Sequence, residues 1–149
     1  MIPKQNRSEA VLSADTASVV VVGGDGGRGL ASRFDESATV RFVSDDGSLV
    51  RRAADEGLDA HCVDVTDASS LYPVVERFDT AIVTFDPDRT ALFTAQLLRA
   101  CCGVETVIAC VTDATYRDAF AETDIRFVDP PSLLAGAVRE RLTEPESGT

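Results

Sequence analysis

Four consecutive valines, Val19 to Val22, run straight into a segment with five glycines in seven positions, Gly23-Gly24-Asp25-Gly26-Gly27-Arg28-Gly29. An unbroken run of β-branched residues fits a strand buried on both faces, the condition of a parallel sheet. Glycine at this density marks a turn out of that strand, where the backbone bends sharply or lets another group come close. The segment contains G-x-G-x-x-G at Gly24, Gly26 and Gly29. That pattern asks for glycine three times: a tight turn, close approach of backbone to a pyrophosphate, and close packing of helix on strand. The pyrophosphate then rests on free backbone N–H groups at a helix start, where the dipole favours negative charge. Taking Gly24 and Gly27 as the second and third glycines, with Val22 in the first position, is an alternative phase of the same loop. A plain glycine-rich turn is the competing structural reading.

The rest of the chain repeats the strand-then-helix rhythm. Strands are expected at Ser18 to Val22, Thr39 to Val43, Ala60 to Val65, Thr80 to Thr84, Thr106 to Val111 and Arg126 to Val128. Between them, apolar residues recur at helical spacing, as in Leu92, Ala95, Leu98 and Cys102. Each right-handed crossover returns the chain in the same direction and covers one face of the sheet. The expected fold is therefore α/β, a doubly wound parallel sheet of six strands in the order 3-2-1-4-5-6 with helices on both faces. It spans residues 18–142, with mobile tails at 1–17 and 143–149. The 149 residues leave room for one domain.

Composition narrows the partners. Acidic residues outnumber basic ones 25 to 14, a net charge of -11, which repels nucleic acid and anionic membranes. One lysine against 13 arginines, and 16 aspartates against 9 glutamates, is the usage expected of a halophile's high-salt cytosol. No leader pattern precedes the first strand, and no apolar run approaches the roughly 20 residues of a membrane span. A soluble, cytoplasmic protein is expected. Cys62, Cys101, Cys102 and Cys110 show no metal-ligand spacing, and His61 adds none, so inert thiols and no metal site are expected.

A glycine loop of this kind is paired with an acidic residue about 20 positions on, at the end of the second strand, that binds ribose hydroxyls. Asp45 stands 21 positions after Gly24, Asp46 follows, and strand register puts Ser44 directly after Phe42-Val43. Asp-Asp-Gly also reads as a turn and helix start. Two further acidic turns lie at carboxyl ends of strands, the ligand edge of such sheets: Asp64-Val65-Thr66-Asp67 and Thr84-Phe85-Asp86-Pro87-Asp88. Asp67 and Asp86 serve equally as helix caps.

Taken together, these pieces resemble the TrkA-N, or regulator of potassium conductance (RCK), nucleotide-binding domain of potassium transporters and channels. The glycine loop, Asp64-Val65-Thr66-Asp67 and Thr84-Phe85-Asp86-Pro87-Asp88 carry the resemblance, with Val107-Ile108-Ala109-Cys110-Val111-Thr112-Asp113 and Phe127-Val128-Asp129-Pro130. The resemblance implies a Rossmann-like regulatory module that binds NAD(H), or ATP/ADP in some branches, and gates transport through dimers and rings. It implies that Gly24, Gly26 and Gly29 contact the diphosphate, within a loop whose Asp25, Gly27 and Arg28 are also candidates. Ser44 or Asp45, with Asp46, would meet the ribose, and Asp64, Val65 and Thr66 the adenine end. Thr84, Phe85 and Asp86 would flank the ligand's second half. The chain looks like a stand-alone nucleotide-binding half acting in trans on a potassium transporter, as a homodimer or higher oligomer and without catalysis. Two alternatives stay open, a degenerate interaction or oligomerisation module and a small NAD(P)-dependent oxidoreductase. Against the last, no Tyr-x-x-x-Lys pair accompanies Tyr72 or Tyr116.

Overall fold

The computed structural model describes residues 18–85, 87–121 and 123–143. The expected tails lie outside these residues, apart from Thr143, which ends the last helix. Strands and helices alternate as β1 (Ser18–Gly23), α1 (Asp25–Phe34), β2 (Thr39–Ser44), α2 (Gly47–Asp55), β3 (Asp59–Cys62), α3 (Ala68–Val75) and β4 (Thr80–Thr84). They continue as α4 (Asp88–Gln96), a π-helical turn (Leu97–Cys101), β5 (Thr106–Cys110), α5 (Ala114–Phe120), β6 (Arg126–Val128) and α6 (Pro130–Thr143). All six strands pair in parallel in the order β3-β2-β1-β4-β5-β6, the order expected.

Burial on both sheet faces explains the valine run. Val20 and Val22 enter one apolar cluster with Val83, Val107, Ala109 and Leu98, on the face covered by α3 and α4. Val21 enters the other, with Phe42, Ala31, Ala53 and Ile82, beneath α1 and α2. The two clusters make the doubly wound core. On the α1–α2 face the cover thins toward the far edge: Ile108 and Cys110 are half-buried and Arg126 is exposed. The last helix, α6, does not close that gap. None of its residues is buried, and Leu133, Leu134, Val138 and Leu142 stand 63%, 65%, 47% and 78% exposed.

Two strands end earlier than expected. β3 stops at Cys62 rather than Val65, because the Asp64 carboxylate accepts both the Thr66 N–H (2.9 Å) and the Thr66 hydroxyl (2.6 Å) and bends the chain out of the ladder. Val65 is still fully buried, but it packs in the core from a turn. β5 stops at Cys110, one residue short of Val111. Helix α4 and the π-helical turn bury Ala91, Thr94, Ala95 and Leu98 and leave Phe93 46% exposed.

Helix ends are set by local chemistry. Asp46 caps α2, its Oδ1 accepting the N–H groups of Ser48 (3.0 Å) and Leu49 (3.3 Å). At the other end Gly57, at φ +94°, carries the chain into the left-handed region. There Leu58 N–H reaches the Ala53 carbonyl and Gly57 N–H that of Ala54, each at 3.0 Å, which satisfies the last turn.

Candidate functional site

The strand order reverses direction between β1 and β4. From β1 the chain winds outward to β2 and β3, then crosses back to start the other half at β4. Helices above the two halves diverge at this point, and a crevice opens at the carboxyl ends of the strands. Here it is a cleft of about 740 Å³. Its wall combines Gly24, Asp25 and Gly26 at the β1 exit, Asp46, Leu49 and Arg52 from the β2 exit and α2, and Thr84 and Phe85 after β4. Asp88, Cys110, Thr112 and Pro130 complete it from the other side.

The floor is held by a backbone hydrogen bond across the seam, from Gly24 N–H to the Thr84 carbonyl at 3.1 Å. So close an approach requires Gly23, where a Cβ would strike that same carbonyl oxygen. Helix α1 begins immediately above. Its Gly27 and Arg28 N–H groups both turn to the Gly24 carbonyl, at 3.0 and 3.1 Å. The N–H groups of Asp25 and Gly26 have no carbonyl one turn back within the helix, and both residues line the cleft. A Cβ at Gly24 would meet no atom within 4 Å, and one at Gly26 only the Thr84 hydroxyl at 4.0 Å. At these two glycines the backbone carries no side chain, so an anion can approach it there, while Asp25 between them sets a carboxylate on the same wall.

The glycines do not divide their roles as the spacing at Gly24, Gly26 and Gly29 implies. The buried packing glycine is Gly27, where a Cβ would lie 2.9 Å from Thr84 Cγ2 and 3.3 Å from Val21 Cγ1. Gly29 is exposed and has open space beside it. The phase with Gly24 second and Gly27 third thus describes the loop. Arg28 is pinned beside the cleft, donating to Asp25 at 3.0 and 3.1 Å and from Nη1 to both carboxylate oxygens of Glu56 at 2.9 Å, so that it staples α1 to the end of α2.

Of the candidates at the β2 exit, Asp46 reaches the cleft wall. The Ser48 hydroxyl and then the Leu49 N–H hold its carboxyl below the ordinary carboxylate range. All these bonds fall on Oδ1. Ser44 is fully buried, and its hydroxyl accepts the Asp46 N–H at 3.2 Å. Asp45 is exposed and off the wall, as are Asp64 and Thr66. The Asp64 carboxyl is lowered by its bonds from Thr66 and is engaged in its own turn. Asp86 lies outside the described residues.

Sequence reasoning missed half the wall. Asp88 belongs to it because its Oδ2 accepts the N–H groups of Thr112 (3.1 Å) and Asp113 (2.7 Å), tying the start of α4 to the β5 exit. Arg52 arrives one turn after Leu49 on the same face of α2. Cys110 ends β5 with its thiol raised above the ordinary range by burial. Position at the carboxyl end of a central strand was the signal available for Cys110 and Thr112. Nothing local marked Arg52. Among the described residues no group of three or more His, Cys, Asp or Glu side chains is placed to hold a metal ion.

Solved structures share this architecture. The NAD(P)-binding domain of an exopolyphosphatase-related protein from Archaeoglobus fulgidus superposes with a TM-score of 0.75 at 23% identity, over 85% of this chain and 98% of that one. The GsuK channel bound to NAD matches with a TM-score of 0.62 at 14% identity, over 85% of this chain and 27% of the channel chain. A dipicolinate synthase from Bacillus halodurans matches at 0.57 and 20% identity, over 95% of this chain and 52% of the synthase polypeptide. At these identities the likeness is one of fold. No curated protein sequence matches the chain. The sequence profile of the TrkA-N domain covers residues 18–128, β1 through β6 with the whole cleft floor, and on that match the chain belongs to the TrkA-N domain family.

Proposed function

We propose that this chain is a cytosolic nucleotide-sensing domain that takes NAD(H) in the cleft at the sheet's reversal point and regulates potassium transport in trans, without catalysis. The observation that carries this reading is a helix start, Asp25 and Gly26, on the wall of a cleft of about 740 Å³, with open space beside the backbone at Gly24 and Gly26. That volume lies within the range of small-molecule sites, about 300–1,000 Å³. Gly24 and Gly26 would seat the diphosphate, Asp46 would face a ribose, and Thr84 and Phe85 would border the second half. A bound dinucleotide would supply redox-dependent charge at its nicotinamide end, and the residues here do nothing beyond binding and orienting it. The GsuK channel, whose structure holds NAD, contains a domain of this fold, which supports the link to ion transport.

Assembly belongs to the same proposal. Among the described residues, the exposed apolar stripe of α6 and the thinly covered β5–β6 end of the α1–α2 face are two surfaces left open. Helix α6 follows β6 after Asp129 alone, and it buries none of its residues against its own sheet. A second copy supplies what each surface lacks, and a homodimer follows.

A competing reading, an interaction module that binds no nucleotide, is favoured by one observation: the wall carries Asp25, Asp46 and Asp88 against the single cation Arg52. Thermal unfolding in molar KCl with NADH, NAD, ATP and ADP decides between them. A ligand at 100 times its Kd stabilises by about 2.7 kcal/mol. At about 2–4 °C per kcal/mol for a domain of this size, the shift is about 5–11 °C. Gly26→Val, which fills the anion seat, is expected to abolish it. No shift with any nucleotide at millimolar concentration would leave the interaction module.

A further inference from the structure

The cleft places a carboxylate, Asp25, at the first position of the helix whose N–H groups face the ligand. A diphosphate seated there would meet like charge, so some cation must offset it. Two arginines come near. Arg28 is 20% exposed and saturated, with Asp25 at 3.0 Å and Glu56 at 2.9 Å. Arg52 is held far less tightly. Its side chain is 57% exposed, its one close carboxylate is Asp25 at 3.9 Å, and it is the only cationic side chain on the cleft wall among the described residues. Its charge also reaches the Asp46 carboxylate on the ribose side.

We propose that Arg52 is the phosphate-recognising cation of this site: it rests loosely on Asp25 and exchanges that carboxylate for the diphosphate of an incoming nucleotide. The exchange is inexpensive because an exposed pair at 3.9 Å contributes little. It does not strand Asp25, which keeps Arg28 at 3.0–3.1 Å. Arg28, with Glu56 still bound, stays in place throughout. A guanidinium presents two parallel donors to a phosphate, and such charge-assisted pairs are the strong ones. The inference rests on the nucleotide reading of the cleft and names the residue that makes it workable in an acidic protein.

Titration of the full chain with NADH, ADP, NADPH and adenosine tests it, using Arg52→Gln, Asp25→Asn and, as a charge-matched control, Arg51→Gln, which is exposed on the same helix and off the wall. Arg52→Gln is expected to weaken NADH and ADP about tenfold or more, the loss of one charged hydrogen-bonding partner, with adenosine unchanged. Asp25→Asn is expected to tighten both, and Arg51→Gln to leave them within twofold. Equal loss with Arg51→Gln would reduce the effect to net charge and overturn the proposal. So would equal loss for adenosine, or a loss confined to NADPH, which would move the contact to a 2′-phosphate. If the unaltered chain binds NADH and ADP but Arg52→Gln binds them as tightly, this inference alone fails. If the unaltered chain binds no nucleotide, the reading of the cleft falls and takes this inference with it.

Discussion

Replacing each of two glycines of helix α1 by alanine should move stability in opposite directions. Both Gly27 and Gly29 are helical, so alanine at either gains about 1 kcal/mol of helix propensity. At Gly29 that gain stands alone, because a Cβ there meets nothing within 4 Å. At Gly27 the new methyl lands 2.9 Å from Thr84 Cγ2 and 3.3 Å from Val21 Cγ1. Both neighbours are β-branched side chains on central strands, stiff at χ1, and cannot swing aside. Overpacking of this kind costs about 1–3 kcal/mol. Gly29→Ala is therefore expected to stabilise by about 1 kcal/mol and Gly27→Ala to be neutral or destabilising by up to about 2 kcal/mol. The propensity gain cancels between the two variants, so their difference isolates the packing cost. Differential scanning calorimetry in 2 M KCl should separate their Tm values by about 2–12 °C, Gly29→Ala above Gly27→Ala. Equal Tm values, or the reverse order, would refute the assignment of the helix-on-strand contact to Gly27.

Other outcomes follow from the same geometry. NADH should slow alkylation of Cys110, on the cleft wall, while leaving exposed Cys62 and Cys101 unchanged, as read by mass mapping; equal labelling at all three would count against occupancy of the cleft. Leu134→Glu with Val138→Glu should convert a dimer to a monomer in light scattering without lowering NADH affinity, since neither residue lines the cleft. Burial alone would raise the Asp59 carboxyl, but its bonds from Arg41 and His61 outweigh that and hold it below its ordinary 3.8. Stability from this cluster is present above that value and lost as pH falls through the lower folded pKa. Asp59→Asn should therefore flatten the acid limb of a stability profile below about pH 4, and an unchanged slope would contradict it.

The sheet was legible because β-branched runs and helical spacing alternate strictly, and parallel topology leaves few ways to connect them. Val19 to Val22 and Val107-Ile108-Ala109 declare themselves by composition alone. Phase within an element was not legible. Gly27 and Gly29 both satisfy a glycine pattern, and which one faces the strand depends on where the helix begins. Val63 and Val65 look like strand because they are apolar, but the Asp64 carboxylate redirects the chain, and Val65 reaches the core from a turn. The site shows the same division. Gly24, Gly26, Asp46 and Thr84 announced themselves by position after their strands. Asp88 and Arg52 reached the wall through tertiary placement, Asp88 by capturing the Thr112 and Asp113 N–H groups and Arg52 by the rotation of α2.

Pro130 belongs both to the wall of the cleft and to the first turn of α6. Asp129 anchors that corner, accepting the Ser132 hydroxyl at 2.8 Å and lying 3.5 Å from Arg117. Beyond it the helix runs for 14 residues with no side chain buried. At 1.5 Å per residue it is a rigid rod about 21 Å long, pivoted at the rim of the crevice. A tilt of about 10° at that end would carry Leu142 through about 3 Å, a little over half the spacing of one helical turn. In mechanical terms the helix is a long pointer, and any rotation imposed at the cleft rim would be magnified at its tip.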